Sequence, residues 1–342
     1  MSRLLAPRLA ARLSPPARAL RPAFQYQCLH STAPTPATAL PITAHGPPPK
    51  PPLPAGEIAD LRRRQKIEAA QDLAAQSQPG RGRFWKEVRV TNTDGGLSVT
   101  LDARPIKTPS GKLLLIPPSK PLLAAAIALE WSLLRSSADA LKGYLIPLTQ
   151  LASRALDLDP AVRAEIAQNL LRYLDTDTLL CLAPTAPAGH DRVSLRELQD
   201  EAAAPVIAFL RERVWPGVVL VPVDGDEGMA GVKSQPKETR GVVAAWMGAL
   251  GRWDLVALER AVLASKSMCV AARLVVEWSE EIGVVGGGGK RGFGVEEAAR
   301  AASVEVRFQT GRWGEVEDTH DVEKEDLRRQ LGASVLLAAG NR

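Results

Sequence analysis

The sequence predicts an α+β fold in which a small N-terminal antiparallel β-rich domain precedes a larger all-helical C-terminal domain. Aromatic residues make up only 4% of the 342 residues, so leucine, valine and alanine must build most of the core, which favours helix packing. A hairpin pattern lies around residue 95, and helical spacing of apolar residues dominates from residue 147 onward. We expect four segments: a presequence over 1–32, a proline-rich linker with a charged lead-in over 33–80, the β-rich domain over 81–145 and the helical domain over 146–340.

The first 32 residues are basic and contain no acid. Five arginines precede residue 30 and account for the whole formal charge of +5, while the first carboxylate is Glu57. An arginine-rich, acid-free segment with interspersed leucines is typical of a mitochondrial presequence, and a secretory signal would need an unbroken apolar run. We therefore expect import into mitochondria.

The charge distribution and the length of the apolar stretches each exclude one other class of protein. Once the presequence is set aside, no basic surplus remains, so a nucleic-acid-binding surface is not expected. No apolar stretch reaches about 18 residues, the length that a membrane-spanning helix needs. We expect neither nucleic-acid binding nor membrane insertion.

The predicted β-rich domain opens with the sequence FWKEVRV at 84–90 and the turn at 94–96. The next strand alternates apolar and polar residues, with Val99 and Leu101 on one face, and KLLLIP at 112–117 is expected to be a third strand. Pro121 is expected to open a helix. Four apolar residues at helical spacing are expected to pack on the sheet: Leu122, Ala126, Leu129 and Leu133.

Residues after 147 read as successive helices. The longest apolar stretch, 255–278, is apolar on most faces, so we expect one central helix there. One expected helical stretch begins near 147 and runs through AVRAEIAQNLLRYL at 161–174. The other expected helices cover approximately 194–214, 239–250, 295–309 and 322–337.

Residue types that carry catalysis or bind metals do not form a recognisable pattern. Cys28, Cys181 and Cys269 are widely spaced with no CxxC, which argues against a disulfide framework or a zinc site. His190 and His320 are the histidines outside the predicted presequence and linker, and neither accompanies a nucleophile motif. We predict no catalytic residue and no metal site.

Two further motifs resemble ligand-binding loops but depart from them. The glycine run 286–289 is followed by Lys290, yet Val284 stands where a phosphate loop needs its first glycine. Asp175 and Asp177 are close together, and helix capping explains this pair better than a paired-carboxylate site. No cofactor is therefore predicted.

The sharpest local feature is an acidic cluster next to an exposed aromatic residue, Trp313. Its members are Glu315, Glu317, Asp318, Asp321, Glu323, Glu325 and Asp326. Arg328 and Arg329 follow within one turn and offset part of the charge, so one interpretation is an acidic helix start that complements the helix dipole. The other is a docking surface for a basic partner.

Several blocks of sequence resemble a known family, the mitochondrial assembly factors that chaperone the alpha subunit of the ATP synthase catalytic head. The blocks run in order and include RFWKEV at 83–88, LDARPIKTPSGKLLLIP at 101–117, PLTQLASRALD at 147–157, RYLDTDTLLC at 172–181, WDLVALERAVLASKS at 253–267 and WGEVEDTHDVEKEDLRRQL at 313–331. The resemblance implies a two-domain fold, no catalytic activity, no cofactor and residence in the matrix. It also implies binding to the unassembled alpha subunit.

Within this resemblance, partner binding is expected to depend on acidic residues of the late helical segment. Glu305 is the first candidate, because Val304 and Phe308 share the inward face of its helix and leave Glu305 outside. The other candidates are Trp313, Glu315, Glu317, Asp318 and Asp321. A simpler role for Glu305 is a salt bridge with Arg300 or Arg307.

Two alternative functions stay open at this point. The first is a hydrolase-like matrix enzyme with a pocket between the two domains, which would need a histidine or cysteine converging with an acid. The second is a structural subunit that remains in a respiratory complex.

Overall fold

The predicted hairpin is present in the computed structural model, which describes residues 82–185, 193–231, 234–283 and 292–340. Strand β1 (Val88–Thr93) pairs antiparallel with β2 (Gly96–Leu101) from Val88 opposite Leu101 to Thr93 opposite Gly96. Gly96 has φ of +135°, and a Cβ there would lie 2.5 Å from the carbonyl oxygen of Ile116. Glycine is therefore required where the hairpin meets the rest of the sheet.

Several predictions fall outside these described residues. They are the presequence at 1–32, the linker at 33–80, His190 and the glycine run 286–289.

Two short strands complete the sheet. Both β3 (Arg104–Pro105) and β4 (Leu115–Ile116) pair antiparallel with β2, whose Val99 and Leu101 are buried as predicted. The third strand is shorter than the predicted 112–117, because Leu113 makes only an isolated bridge and its neighbour Leu114 turns fully into the core.

Helix α1 (Pro121–Leu133) begins at Pro121 as predicted, but it packs on the sheet with the opposite face. Leu123, Ala124 and Ile127 are buried. The residues predicted to face inward are instead outside, with Leu122, Leu129 and Leu133 exposed by 64%, 58% and 70%. The prediction was wrong because the helix is apolar almost all round, so spacing alone could not select the buried face.

Four helices follow along the chain: α2 (Pro147–Asp157), α3 (Pro160–Asp175), α4 (Leu195–Phe209) and α5 (Lys237–Ala249). Glu130, the one charged residue of α1, caps α2, because its two oxygens accept from the backbone N–H groups of Leu148 at 2.6 Å and Thr149 at 3.0 Å. Burial raises the pKa of Glu130 against the effect of these hydrogen bonds. This contact fixes α1 against the start of the helical region.

The helical region also contains a pair of strands that the sequence did not predict. Strand β5 (Cys181–Leu182) pairs in parallel with β6 (Val223–Asp224). Two residues are too short to show the alternation by which strands are recognised.

The predicted central helix at 255–278 is two helices, α6 (Arg252–Ser265) and α7 (Met268–Trp278). Lys266 between them is left-handed with φ of 56°, and the Ser267 hydroxyl accepts from the Val270 N–H at 3.0 Å to cap α7. The central position was predicted correctly, since each of the two helices buries nine residues, and α6 packs against α2, α3, α7 and the last helix.

The last third of the chain forms α8 (Val295–Ala302), α9 (Val304–Trp313) and α10 (His320–Ala338). The prediction of one helix over 295–309 was wrong, because Ser303 interrupts it and turns its hydroxyl back to the carbonyl oxygen of Ala299 at 2.7 Å. Helix α10 packs along α6, whereas no residue of α9 is fully buried.

Among the described helices none is long and apolar enough to span a membrane. The described residues contain no cluster of three or more histidine, cysteine, aspartate or glutamate side chains placed to hold a metal ion. The described residues belong to one compact unit, 71–342, and the division near residue 145 into a β-rich and a helical domain stays a prediction.

A buried carboxylate in α6 gives the fold a specific pH dependence. Asp254 is 1% exposed and accepts a hydrogen bond from the Ser279 hydroxyl at 2.6 Å. Burial, the largest cause, raises the pKa of Asp254 from 3.8 to about 6. Between pH 3.8 and about 6, the native state therefore holds a proton on Asp254 that the unfolded chain has lost. The contribution of Asp254 to the free energy of unfolding falls as pH rises across this range and is constant above it.

We expect Asp254→Asn to remove this loss. The variant should be more stable than the wild type at pH 7.5 by up to about 3 kcal/mol, the pKa difference converted at about 1.4 kcal/mol per unit, and the gain should shrink towards zero near pH 4. Urea unfolding at both pH values measures the two differences. An equal gain at pH 7.5 and pH 4 would show that Asp254 does not titrate in this way.

Candidate functional site

The residues proposed as a partner-binding set lie on two helices and the turn between them. Glu305 and Trp313 belong to α9, and Asp321 lies in the first turn of α10. Glu315, Glu317 and Asp318 lie in the turn. All six side chains are exposed, and Trp313 is 78% exposed. We call this set, Glu305, Trp313, Glu315, Glu317, Asp318 and Asp321, the acidic surface.

Local sequence explains how α9 presents Glu305. Val304 and Phe308 are half-buried on the side of α9 that packs against α4, while Glu305 is exposed, as the helical spacing predicted. Gly314, with φ of 88°, ends the helix by donating its N–H to the Thr310 carbonyl at 2.9 Å. The chain then turns sharply towards α10.

Glu305 does not make the salt bridge that the simpler interpretation required. Its carboxylate accepts from the Gln309 amide at 3.0 Å, while Arg300 pairs with Glu297 at 2.6 Å. Within the described part of the chain, no ion pair joins Glu305 to Arg300 or Arg307. Its negative charge therefore faces solvent without a paired cation.

Further along α10 the carboxylates are paired. Arg328 forms a two-pronged contact with Glu296 at 2.8 and 3.1 Å and also reaches Glu325 at 3.1 Å. Arg329 pairs with Asp326 at 2.6 Å, which holds the pKa of Asp326 below its usual value. These arginines thus pair with Glu325 and Asp326 of the predicted acidic cluster.

The turn itself is closed by His320. Its Nδ1 accepts a hydrogen bond from the Val316 N–H at 2.8 Å, which fixes the start of α10 beneath Glu315 and Glu317. In this arrangement Nδ1 carries no proton, so His320 positions the turn as a hydrogen-bond acceptor.

A groove of about 890 Å³ lies between α8, α9 and α10. Its lining brings Glu305 and Glu315 together with His320 and with Lys266, the left-handed residue between α6 and α7. Trp313, Glu317, Asp318 and Asp321 are outside the lining. The structure thus places two members of the acidic surface in one groove, and the other four lie outside its lining.

The floor of this groove is structural. Thr178 and Leu179 line it, and the buried Asp177 beside them accepts from the Leu179 N–H at 2.9 Å and the Cys269 N–H at 2.8 Å. Asp177 is thus a cap, as predicted, but of the distant helix α7. Burial raises the pKa of the Cys269 thiol well above its usual value, which disfavours a nucleophilic thiolate.

A second groove, of about 710 Å³, lies beside α9, between α4 and α8. Arg273 lines it with its guanidinium 3.5 Å from the ring centre of Phe209, and it is paired with Glu277. Neither groove includes a residue from 82–145, so neither is the pocket between domains that the enzyme hypothesis required.

Sequence reasoning missed the exposed stripe of α1. The sequence shows the 4-3-4 spacing of the apolar residues in α1, but it does not show that the opposite face of the helix covers the sheet. A helix with one charged residue in thirteen was the available sign that both faces would be apolar.

Comparison with known proteins shows which family this chain resembles. Residues 82–211 match the family model described as ATP12 chaperone protein. "Protein atp12, mitochondrial" from Schizosaccharomyces pombe is 34% identical over 264 residues, which covers 76% of this chain and 83% of that protein. "Protein ATP12, mitochondrial" from Saccharomyces cerevisiae is 34% identical over 280 residues, covering 75% and 83%.

Solved structures show the same fold. The crystal structure of Atp12 from Paracoccus denitrificans has a TM-score of 0.54 at 24% identity and covers 75% of this chain and 97% of that one. A putative chaperone from Agrobacterium tumefaciens, Atu1473, has a TM-score of 0.55 at 24% identity, with coverage of 75% and 85%. With two relatives at 34% identity over most of their length, the chain belongs to the ATP12 chaperone family.

Proposed function

We propose that this ATP12-family assembly chaperone of ATP synthase binds the unassembled alpha subunit of the catalytic head in the mitochondrial matrix. It holds that subunit in a soluble state until the beta subunit pairs with it. The observation that carries the proposal is the acidic surface, where Trp313 is 78% exposed and the charge of Glu305 has no paired cation among the described residues.

The physical requirements of such a client match this surface. A subunit made for a ring exposes the surface that its neighbour later covers, and exposed subunit interfaces aggregate. A holding protein must cover that surface and then release it, which favours a polar and moderate interface over a deep pocket. Carboxylates beside an exposed tryptophan provide such contacts.

Location in the matrix is supported by the arginine-rich, acid-free first 32 residues. Both curated relatives carry the word mitochondrial in their names. The alpha subunit would meet this chaperone in that compartment.

The direct test of function is suppression of aggregation. Alpha subunit diluted from denaturant should scatter less light when an equimolar amount of the full chain is present. The beta subunit, diluted alone under the same conditions, is the matched client control and should not be protected. Equal protection of both subunits, or of neither, would contradict the proposed client.

A charge reversal tests the surface. We expect Glu305→Lys to raise the Kd for the alpha subunit by about ten-fold to a hundred-fold, because a cation would face a basic client surface. Unfolding by urea should change little, since Glu305 is exposed and bonds only to Gln309 among the described residues.

The matched control is Glu165→Lys, which changes net charge equally at an exposed position of α3. Titration of labelled alpha subunit at about 50 and 200 mM salt should show normal affinity for the control and a weaker salt dependence for Glu305→Lys. If both variants bound the alpha subunit with equal affinity, the acidic surface would not be part of the interface.

A further inference from the structure

The exposed face of α1 has the pattern of a helix-packing seam. Leu122, Ala126, Leu129 and Leu133 are spaced by 4, 3 and 4 residues, the spacing that places side chains along one line for insertion between the side chains of a facing helix. The three leucines are exposed by 58–70%, and Ala126 is half-buried between them. An apolar patch that stays exposed on a soluble protein often marks a binding site.

The seam is not a by-product of poor packing on the other side. The opposite face of α1 is well buried on the sheet, and Trp131 packs edge-on against Trp85 at 5.5 Å between ring centres. The one charged residue of α1, Glu130, is already used to cap α2. The helix therefore has two apolar faces, of which one has a partner within the described residues.

We propose that this seam is a second contact for the client, and that it binds an apolar helical surface of the unassembled alpha subunit. The inference rests on the proposed function for the identity of the client. It extends that function from a charged contact to a chaperone interface with both a charged and an apolar part.

A second copy of this chain is a weaker candidate for the occupant. Stable interfaces use about 20–30 residues on each side, whereas the seam offers four residues on a helix about 20 Å long. No charged residue of α1 flanks the seam to fix the register of a paired helix, as dimeric coiled coils require. A short apolar contact without charged flanks suits reversible binding better than permanent assembly.

The position of α1 allows one client to reach both contacts. The start of α1 meets the C-terminal end of α10, where Lys120 donates to the carbonyl oxygen of Ala338. Asp321 of the acidic surface lies at the other end of α10, about 25 Å along the helix, a distance that one interface of ordinary size spans. Arg329 of α10 also donates to the carbonyl oxygen of Tyr144 at 3.0 Å, in the turn that leads from α1 to α2. Tyr144 is itself 64% exposed, so apolar surface continues along this junction.

Cross-linking identifies the occupant. The full chain with a photoreactive benzoyl-phenylalanine in place of Leu129 is irradiated with purified alpha subunit, and the adduct is identified by mass. A cross-link to the alpha subunit is expected. An adduct with a second copy, an adduct within the chain, or no adduct while the complex forms would each overturn the proposal.

Affinity provides the quantitative test. Leu129→Asp should raise the Kd for the alpha subunit about ten-fold to a hundred-fold, the loss of one buried leucine contact, while Val242→Asp at a 41% exposed position of α5 should leave it unchanged. Leu129→Met, which keeps the apolar surface, should retain most of the affinity. If Leu129→Asp bound with wild-type affinity, the seam would not be a client contact, and the proposed function would be unaffected. If the wild-type chain failed to bind the alpha subunit, the proposed function itself would be contradicted.

Discussion

Asp177→Ala should lower the free energy of unfolding by about 3–5 kcal/mol. The Asp177 carboxylate is fully buried, and its two oxygens accept from the N–H groups of Leu179 and Cys269. Its removal leaves two buried donors without a partner, each costing about 1–3 kcal/mol, and opens a small cavity. Urea unfolding followed by tryptophan fluorescence measures the change.

Asp159→Ala is the matched control for this loss. Asp159 also caps a helix, accepting from the Val162 N–H at 2.8 Å, but it is exposed to water. We expect this variant to lose about 1 kcal/mol, because water replaces the missing acceptor. If both variants lost the same amount, burial of Asp177 would not be the source of its importance.

Lys120→Met should destabilise the chain by a similar 3–5 kcal/mol. Lys120 is 2% exposed, and its Nζ donates to the carbonyl oxygens of Ala338 at 2.9 Å and Ala339 at 3.2 Å while pairing with Glu280 at 3.1 Å. The residue thus joins the start of α1 to the end of α10, where the helix dipole is negative. Methionine fills most of the space but removes the cation that pairs with the partly buried Glu280 carboxylate.

Two variants separate burial from charge at this position. Lys142→Met removes an exposed pair with Asp139 and should change the free energy of unfolding little. Lys120→Met combined with Glu280→Gln should recover part of the loss, because the glutamine side chain carries no charge that needs the Lys120 ammonium. A double variant as unstable as the sum of the two single variants would contradict this explanation.

The sequence predicted the elements whose pattern is local. The hairpin follows from the Asp94-Gly95 turn and from the alternation of Val99 and Leu101, and α1 begins at Pro121 because proline fits the first turn of a helix. Exposure of Glu305 followed from the helical spacing of Val304 and Phe308. These features depend on residues within a few positions of one another.

The errors came from contacts between distant residues. The break at Lys266 between α6 and α7 is held partly by Asp177, about ninety positions earlier, which caps α7. Ser303 divides α8 from α9, although apolar spacing continues through it. The orientation of α1 depends on which face the sheet covers, and a helix with two apolar faces does not encode that choice locally.

The acidic surface shows the same division. Its members could be named from the sequence, because a run of carboxylates beside Trp313 is visible there. The sequence did not show that Arg328 and Arg329 pair with Glu325 and Asp326, while Glu305 has no paired cation among the described residues. Among the proposed candidates, pairing in space therefore favours Glu305.

The most direct measurement is to identify what the full chain captures from a mitochondrial matrix extract at low salt. We expect recovery of the alpha subunit of the ATP synthase catalytic head without stoichiometric beta subunit. The Glu305→Lys variant should lose that recovery while circular dichroism shows an intact fold. Absence of the alpha subunit from a correctly folded bait, or its recovery together with equal beta subunit as part of the finished enzyme, would contradict the account.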